Sequence, residues 1–282
     1  MAISCRRSPK LERRSLMENS IPKLVVPTMA EMMAKGESPD VLFWVGCAGS
    51  FDDRAKKITK AFVKILNQLE YKFAVLGSEE SCSGDPAKRA GNEFLFQMQA
   101  MANIEVMNAY EVKRVVTTCP HCFNTLKNEY PELGGSFEVV HHTQLLQALI
   151  DEGRLTIKGG AFKGKKITFH DPCYLGRANT VYEAPRSLIE SLDAELVEMK
   201  RCKSRGLCCG AGGAQMFKEP EKGTKDINIE RTEEALEIIP DIIATGCPFC
   251  NTMMTDGVKN KEKEDEVEVL DLAEMIATAN DL

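Results

Sequence analysis

The sequence predicts two pseudo-symmetric α/β half-domains with mostly parallel sheets, preceded by an N-terminal arm. Three observations carry this. Short apolar runs alternate with helical patterns over residues 41–280, the order that builds parallel sheets covered by helices. The runs are apolar throughout, as strands buried on both faces are. Nine of the eleven cysteines also form two copies of one pattern. Cys47, Cys82 and the pair Cys119/Cys122 make one copy; Cys173, Cys208, Cys209 and the pair Cys247/Cys250 make the other. The first interval is 35 residues in both copies, and the next is 37 in one and 39 in the other.

Residues 1–40 read as an arm. Charge from Cys5-Arg6-Arg7 to Arg14 and prolines at 9, 22, 27 and 39 leave only Met29–Lys35 for a short helix. The first half, 41–152, opens on the strand Val41–Val45, closed by Gly46-Cys47. A helix over Asp53–Leu69 and a strand over Lys72–Leu76 follow. The loop Ser81-Cys82-Ser83-Gly84 leads to a long helix around Ala87–Asn108. The strand Arg114–Thr117 then runs into Cys119-Pro120-His121-Cys122. The strand Phe137–Val140 and the helix Thr143–Asp151 close the half. Residues 153–165, rich in glycine and lysine, read as a linker.

The second half, 166–282, repeats the order. The strand Lys166–His170 is closed by Asp171-Pro172-Cys173. The helix Ala184–Leu192 and the strand Glu195–Met199 precede the loop Leu207-Cys208-Cys209-Gly210. The helix Asn228–Ile238 and the strand Asp241–Ala244 reach Cys247-Pro248-Phe249-Cys250. The strand Val267–Leu270 and the helix Ala273–Ala279 end it. The cysteines thus follow the carboxyl ends of strands, where open α/β sheets place their ligands.

The bulk numbers narrow the function. A length of 282 residues with 43% hydrophobic content suits one large domain or two ordinary ones. A net charge of -6 with both signs mixed makes no polybasic surface, so nucleic acid is not an expected partner. No apolar run reaches the roughly 18 residues of a membrane span. The start, Met1–Lys10, lacks the apolar core of a secretion signal. A cytoplasmic location is expected, where thiols stay reduced. A chain this long needs no disulfide staples, and paired Cys-x-x-Cys elements at helix starts are metal or redox signatures.

Thiolates are soft donors for iron, and a four-iron cluster normally takes four of them. A Cys-x-x-Cys at a helix start supplies two, with the helix amino end favouring thiolate charge. Distant loops must supply the rest, and each copy has them. Iron–sulfur is the leading assignment, with zinc left open. The second copy holds five cysteines, one more than a cubane takes.

These elements resemble the cysteine-rich CCG family, whose members include the B subunit of heterodisulfide reductase and related iron–sulfur oxidoreductase subunits. The resemblance covers about residues 41–280. It implies Rossmann-like CCG half-domains and a noncubane [4Fe–4S] cluster in the second half. That cluster would be held by Cys173, Cys208, Cys209, Cys247 and Cys250, with Gly210 completing the Cys-Cys-Gly element. The first copy departs from the pattern, because Ser83 stands where the second adjacent cysteine belongs. Its Cys47, Cys82, Cys119 and Cys122 suit a second [4Fe–4S] cluster or zinc.

Glycines 84, 210, 212 and 213 let the backbone approach the site. His170, next to Asp171 at a strand end, is the candidate proton carrier. His121, His141 and His142 are weaker candidates. Arg177 is the candidate to pair with a carboxylate substrate or to balance charge, and Lys88 and Arg89 hold the corresponding place in the first half. Met98, Met101 and Met107 read as a helix packing face. Cys5 and Cys202 lie outside the pattern and read as bystander thiols.

There is no Gly-x-Gly-x-x-Gly fingerprint and no P-loop, so a flavin or nicotinamide belongs on another subunit. The expected function is an electron-transfer subunit of a heterodisulfide-reductase-like redox complex. Its expected partner is a ferredoxin-like, flavoprotein or membrane cytochrome subunit. Such a partner would supply any membrane association and any coupling to quinone. The alternatives are a catalytic subunit reducing a disulfide or heterodisulfide, and a zinc-binding structural subunit.

Overall fold

The computed structural model describes residues 24–219 and 222–282. Most of the expected arm, including Cys5, lies outside the described residues. Within the described part of the arm, α1 (Met29–Ala34) is held by a capping box between Thr28 and Glu31.

The first half runs β1 (Val41–Trp44), α2 (Gly46–Phe51), α3 (Ala55–Gln68), β2 (Phe73–Ala74), α4 (Asp85–Arg89), α5 (Glu93–Ala109), β3 (Arg114–Thr117), α6 (Pro120–Asn124), β4 (Glu138–His141) and α7 (His142–Asp151). The second runs β5 (Lys166–Phe169), α8 (Glu183–Glu190), β6 (Glu195–Leu196), α9 (Ile227–Leu236), β7 (Ile242–Thr245), α10 (Pro248–Asn260), β8 (Glu268–Asp271) and α11 (Leu272–Ala279). Two four-stranded sheets result, ordered β2-β1-β3-β4 and β6-β5-β7-β8, and every pairing is parallel. The fold is two pseudo-symmetric Rossmann-like α/β halves.

The halves share one core. Helix α3 packs on α11, and α7 packs on α8; these are equivalent contacts once the halves are exchanged. Between the sheets, Phe43, Phe62 and Leu146 of the first half meet Phe169, Leu188 and Ile276 of the second in one buried cluster. The 153–165 segment forms no helix or strand but buries Leu155 and Phe162 in that cluster. Hydrophobic burial therefore joins the halves as well as building each one.

Three local expectations need correction. The long helix over 87–108 is two helices, because Gly91 takes φ +85° and breaks α4 from α5. Met98 and Met101 are about half exposed, whereas Met107 is buried. The core face of α5 is instead carried by Phe96, Ala100, Ile104 and Met107. A short helix, α2, also begins at Gly46, directly on the first cysteine loop.

Two of the loop glycines, Gly84 and Gly210, are required by geometry. Gly84 and Gly210 both sit at φ +89°. A Cβ on Gly84 would meet the Phe96 ring at 2.7 Å, and Phe96 is fully buried. Gly84→Ala is expected to cost about 1–3 kcal/mol from overpacking and left-handed strain. Denaturant unfolding of the purified chain measures it, and a loss under about 0.5 kcal/mol, the ordinary surface value, contradicts the packing described.

Candidate metal centre

The loops after β1, β2 and β3 bring four thiols together. Cys47 touches Cys82, Cys119 touches Cys122, and Cys47 lies close enough to Cys122 to feel its charge. The second half repeats this with five: Cys173 touches Cys208, Cys208 touches Cys209, and Cys250 touches both Cys209 and Cys247. Ser83 occupies the place of the fifth thiol in the first half. Its hydroxyl lies 3.5 Å from Cys122 Sγ, as Cys209 lies against Cys250. Cys202, outside the pattern, is half-buried, and its thiol is pushed up by burial.

The backbone favours negative sulfur at matching points. The N–H of Gly84 points at Cys82 Sγ at 3.5 Å, and that of Gly210 at Cys208 Sγ at 3.3 Å. Contact with the Cys47 thiol, then the Gly84 N–H, brings Cys82 down to about 6. Contacts with Cys173 and Cys209, then the Gly210 N–H, hold Cys208 well below the usual thiol range. Burial pushes Cys247 up, but donation from Cys119 and Cys250 outweighs it and leaves Cys247 at about 6. Cys119 and Cys247 are the N-caps of α6 and α10, each followed by proline, so helix amino ends face both Cys-x-x-Cys pairs.

Cys119 of one half and Cys247 of the other lie near enough for their thiols to interact. The two cysteine groups therefore form one continuous sulfur array across the pseudo-twofold. Aromatic rings from both halves wall it: His121 packs on Tyr174 with ring centres 4.7 Å apart and meets Phe249 edge-on at 5.4 Å.

The other predicted residues are accounted for by protein partners. His121 Nδ1 pairs with buried Asp85 at 2.9 Å. Asp85 also accepts from Arg89 at 3.1 Å, and Arg89 and Lys88 both pair with Glu129. Arg177 donates to the Gly206 carbonyl at 2.6 Å, which ties down the loop just before Cys208. His142 bonds Asp271 of the other half at 3.1 Å, and His141 bonds Thr143 at 2.7 Å. The ring of His170 lies with Cys209 and Cys250, their ligand atoms within 4.8 Å of one another. That is metal-site spacing. Burial, then the Arg231 charge, pushes His170 down to about 3.

Sequence reasoning missed three contributors. Glu80 accepts from the N–H groups of Val45 and Gly46, at 3.0 and 2.6 Å, and so holds the turn into Cys47. Arg231 and Arg186 are buried behind the second group. A charged residue inside an otherwise amphipathic helix pattern was the available signal for the arginines.

The model of the cysteine-rich CCG domain matches twice, at residues 41–127 and 167–255. The chain belongs to the cysteine-rich CCG-domain family. The two matches coincide with the two thiol groups, so the repeat seen in the cysteine spacing is the domain repeat. This CCG chain is 45% identical over 94% of its length to a probable iron–sulfur-binding oxidoreductase, FadF, of Bacillus subtilis, covering 37% of that protein. It is 44% identical over 86% of its length to an EtfAB:quinone oxidoreductase of Syntrophomonas wolfei, covering 34% of it. It is 35% identical over 86% of its length to one subunit of the dihydromethanophenazine:CoB–CoM heterodisulfide reductase of Methanosarcina barkeri, covering 59% of that subunit. The CCG chain thus spans between a third and three-fifths of the length of these relatives. No helix among the described residues is long and apolar enough to cross a membrane.

Proposed function

We propose that this chain is the electron-transferring CCG module of a larger redox complex, with an iron–sulfur cluster in each half. The observation that supports it best is the sulfur array joined at Cys119 and Cys247. A mononuclear structural zinc needs one closed set of four ligands. Nine thiols in two touching groups suit two multinuclear centres better. Bound there, such clusters would supply reversible one-electron chemistry.

The chain's own residues would do the following. Cys47, Cys82, Cys119 and Cys122 hold the first centre. Cys173, Cys208, Cys209, Cys247 and Cys250 hold the second, of the noncubane [4Fe–4S] type that five thiolates suit. Gly84 and Gly210 amides stabilise the sulfur charge of Cys82 and Cys208. The rings of His121, Tyr174 and Phe249 exclude water from the seam between the groups. Arg177 serves to hold the 206–208 loop. We take 41–152 and 166–282 as the two units, with 153–165 between them.

The electron donor proposed is a flavoprotein, with quinone as the downstream acceptor class through a membrane-bound partner. The likeness to the EtfAB:quinone oxidoreductase supports this reading. The test is metal and acid-labile sulfide analysis with EPR on anaerobically purified protein. The expected result is about eight iron and eight sulfide per chain, two four-iron clusters. Stoichiometric zinc without sulfide under the same conditions overturns the proposal.

A further inference from the structure

An inner strand of each sheet leads into a ring N–H that no atom of the described residues accepts. In the first half the ring is Trp44, which stands opposite Thr117 in the β1–β3 register. In the second, Phe169 stands opposite Ala244 and the His170 N–H donates to the Ala244 carbonyl. His170 therefore continues the register and faces Thr245. Each ring lies three residues before the first cysteine of its group. Both are completely buried, and Trp44 Nε1 and His170 Nε2 lack hydrogen-bond partners. A Cβ on Gly46 would lie 3.3 Å from Cys122 Sγ and 4.0 Å from Trp44 Nε1, so that indole N–H and that sulfur border the same spot. Buried donors left unpaired are costly, and each such case calls for an explanation.

The tautomer of His170 follows from its neighbour. Arg231 Nε donates to His170 Nδ1 at 3.0 Å, and Arg231 is itself held by the Arg201 carbonyl and Glu234. A guanidinium has only hydrogens to offer. Nδ1 must then present its lone pair, and the neutral ring carries its hydrogen on Nε2. A metal bound at Nε2 would push that hydrogen to Nδ1, where it would face the Arg231 N–H. The Arg231 bond therefore disfavours His170 as a ligand, although its spacing to Cys209 and Cys250 is ligand-like.

We propose that Arg231 fixes His170 as its Nε2–H tautomer and that this hydrogen, unpaired in the metal-free chain, is donated to sulfur of the loaded centre that Cys209 and Cys250 hold, with the Trp44 N–H as its counterpart on the Cys122 side. The inference rests on the reading of the thiol groups as iron–sulfur sites. Within it, His170 is a positioning residue. A donor to sulfur favours the more negative, reduced centre and so raises its potential.

The experiment compares wild type, His170→Phe and His170→Gln as full-length chains loaded anaerobically with iron and sulfide. Iron content and the midpoint potential of the second centre, from EPR-monitored titration, are the readouts. His170→Phe is expected to keep its iron and to shift the one-electron equilibrium about tenfold against reduction, ~59 mV. His170→Gln, which retains an N–H, should recover most of that shift. Loss of second-centre iron in both folded variants would make His170 a ligand and overturn the proposal. An unmoved potential in His170→Phe would also overturn it, leaving only packing. Long-range 1H–15N NMR of the metal-free wild type reads the tautomer without any cluster, and Nδ1–H there refutes the inference. If wild type takes up no iron and sulfide, the cluster reading fails, while the NMR result still decides the tautomer.

Discussion

Replacing Cys209 with alanine is expected to abolish the EPR signal of the second centre in its native form. Cys209 is buried at 3% exposure and is the middle of the Cys208–Cys209–Cys250 contacts. It is the thiol that the first half lacks. Contact with Cys208 pushes its thiol up, and metal binding to a thiol must displace its proton. Removing Sγ also leaves a small void against Cys250. Cys209→Ser gives a sharper comparison, because it rebuilds the Ser83 arrangement of the first half. The second-centre spectrum should then come to resemble that of the first. An unchanged spectrum and sulfide content in Cys209→Ala would refute the five-thiolate assignment.

Arg186→Met is expected to be strongly destabilising. Arg186 is 4% exposed and binds Asp171 through two parallel hydrogen bonds, at 2.9 and 3.0 Å. It also binds Glu198 twice, at 2.6 and 3.0 Å, and the Tyr182 carbonyl. Burial disfavours the charged guanidinium, but bonds to Asp171 and Glu198 outweigh this and raise Arg186 above its ordinary range. Methionine keeps most of the stem and strands the Asp171 carboxylate, itself 4% exposed. Breaking a buried pair from one side costs about 3–5 kcal/mol. For a chain of this size that is a fall of roughly 10 °C in Tm. Asp171 also accepts the Lys203 N–H at 2.7 Å and lies two residues before Cys173, so metal loading should fall with stability. Adding Asp171→Asn removes the stranded charge and should recover part of the loss. Thermal and denaturant unfolding of the three forms provide the check. A loss below about 1 kcal/mol in Arg186→Met, the value of an exposed pair, would contradict the buried network.

The strands were legible because buried parallel strands are short apolar runs, and Val41–Trp44 or Arg114–Thr117 can be read within a residue or two. The cysteine loops were legible for another reason: sulfur ligands are rare residue types, and a repeated spacing of rare residues survives without any structure. The helix break at Gly91 was less visible. Glycine is tolerated inside helices at a cost of about 1 kcal/mol, so its presence alone did not decide between a weak turn and a break. The surface face of α5 was misjudged because the helix carries apolar residues all round, including Phe94 and Met98 in contact with solvent.

By itself the sequence determined the two parallel α/β halves, the nine thiols at strand ends and the substitution of Ser83 for a fifth. Each depends on neighbours within one strand–loop–helix unit, where pattern and spacing are local quantities. Only the tertiary structure decided the contacts between units. Cys119 meets Cys247 from 128 positions away. Arg231 reaches His170 across 61 residues and sets which ring nitrogen bears the hydrogen. The shared core of α3, α7, α8 and α11 turns the two sheets so that their cysteine ends meet. Those juxtapositions come from burying apolar faces between halves, a nonlocal and non-directional force that a linear pattern does not encode.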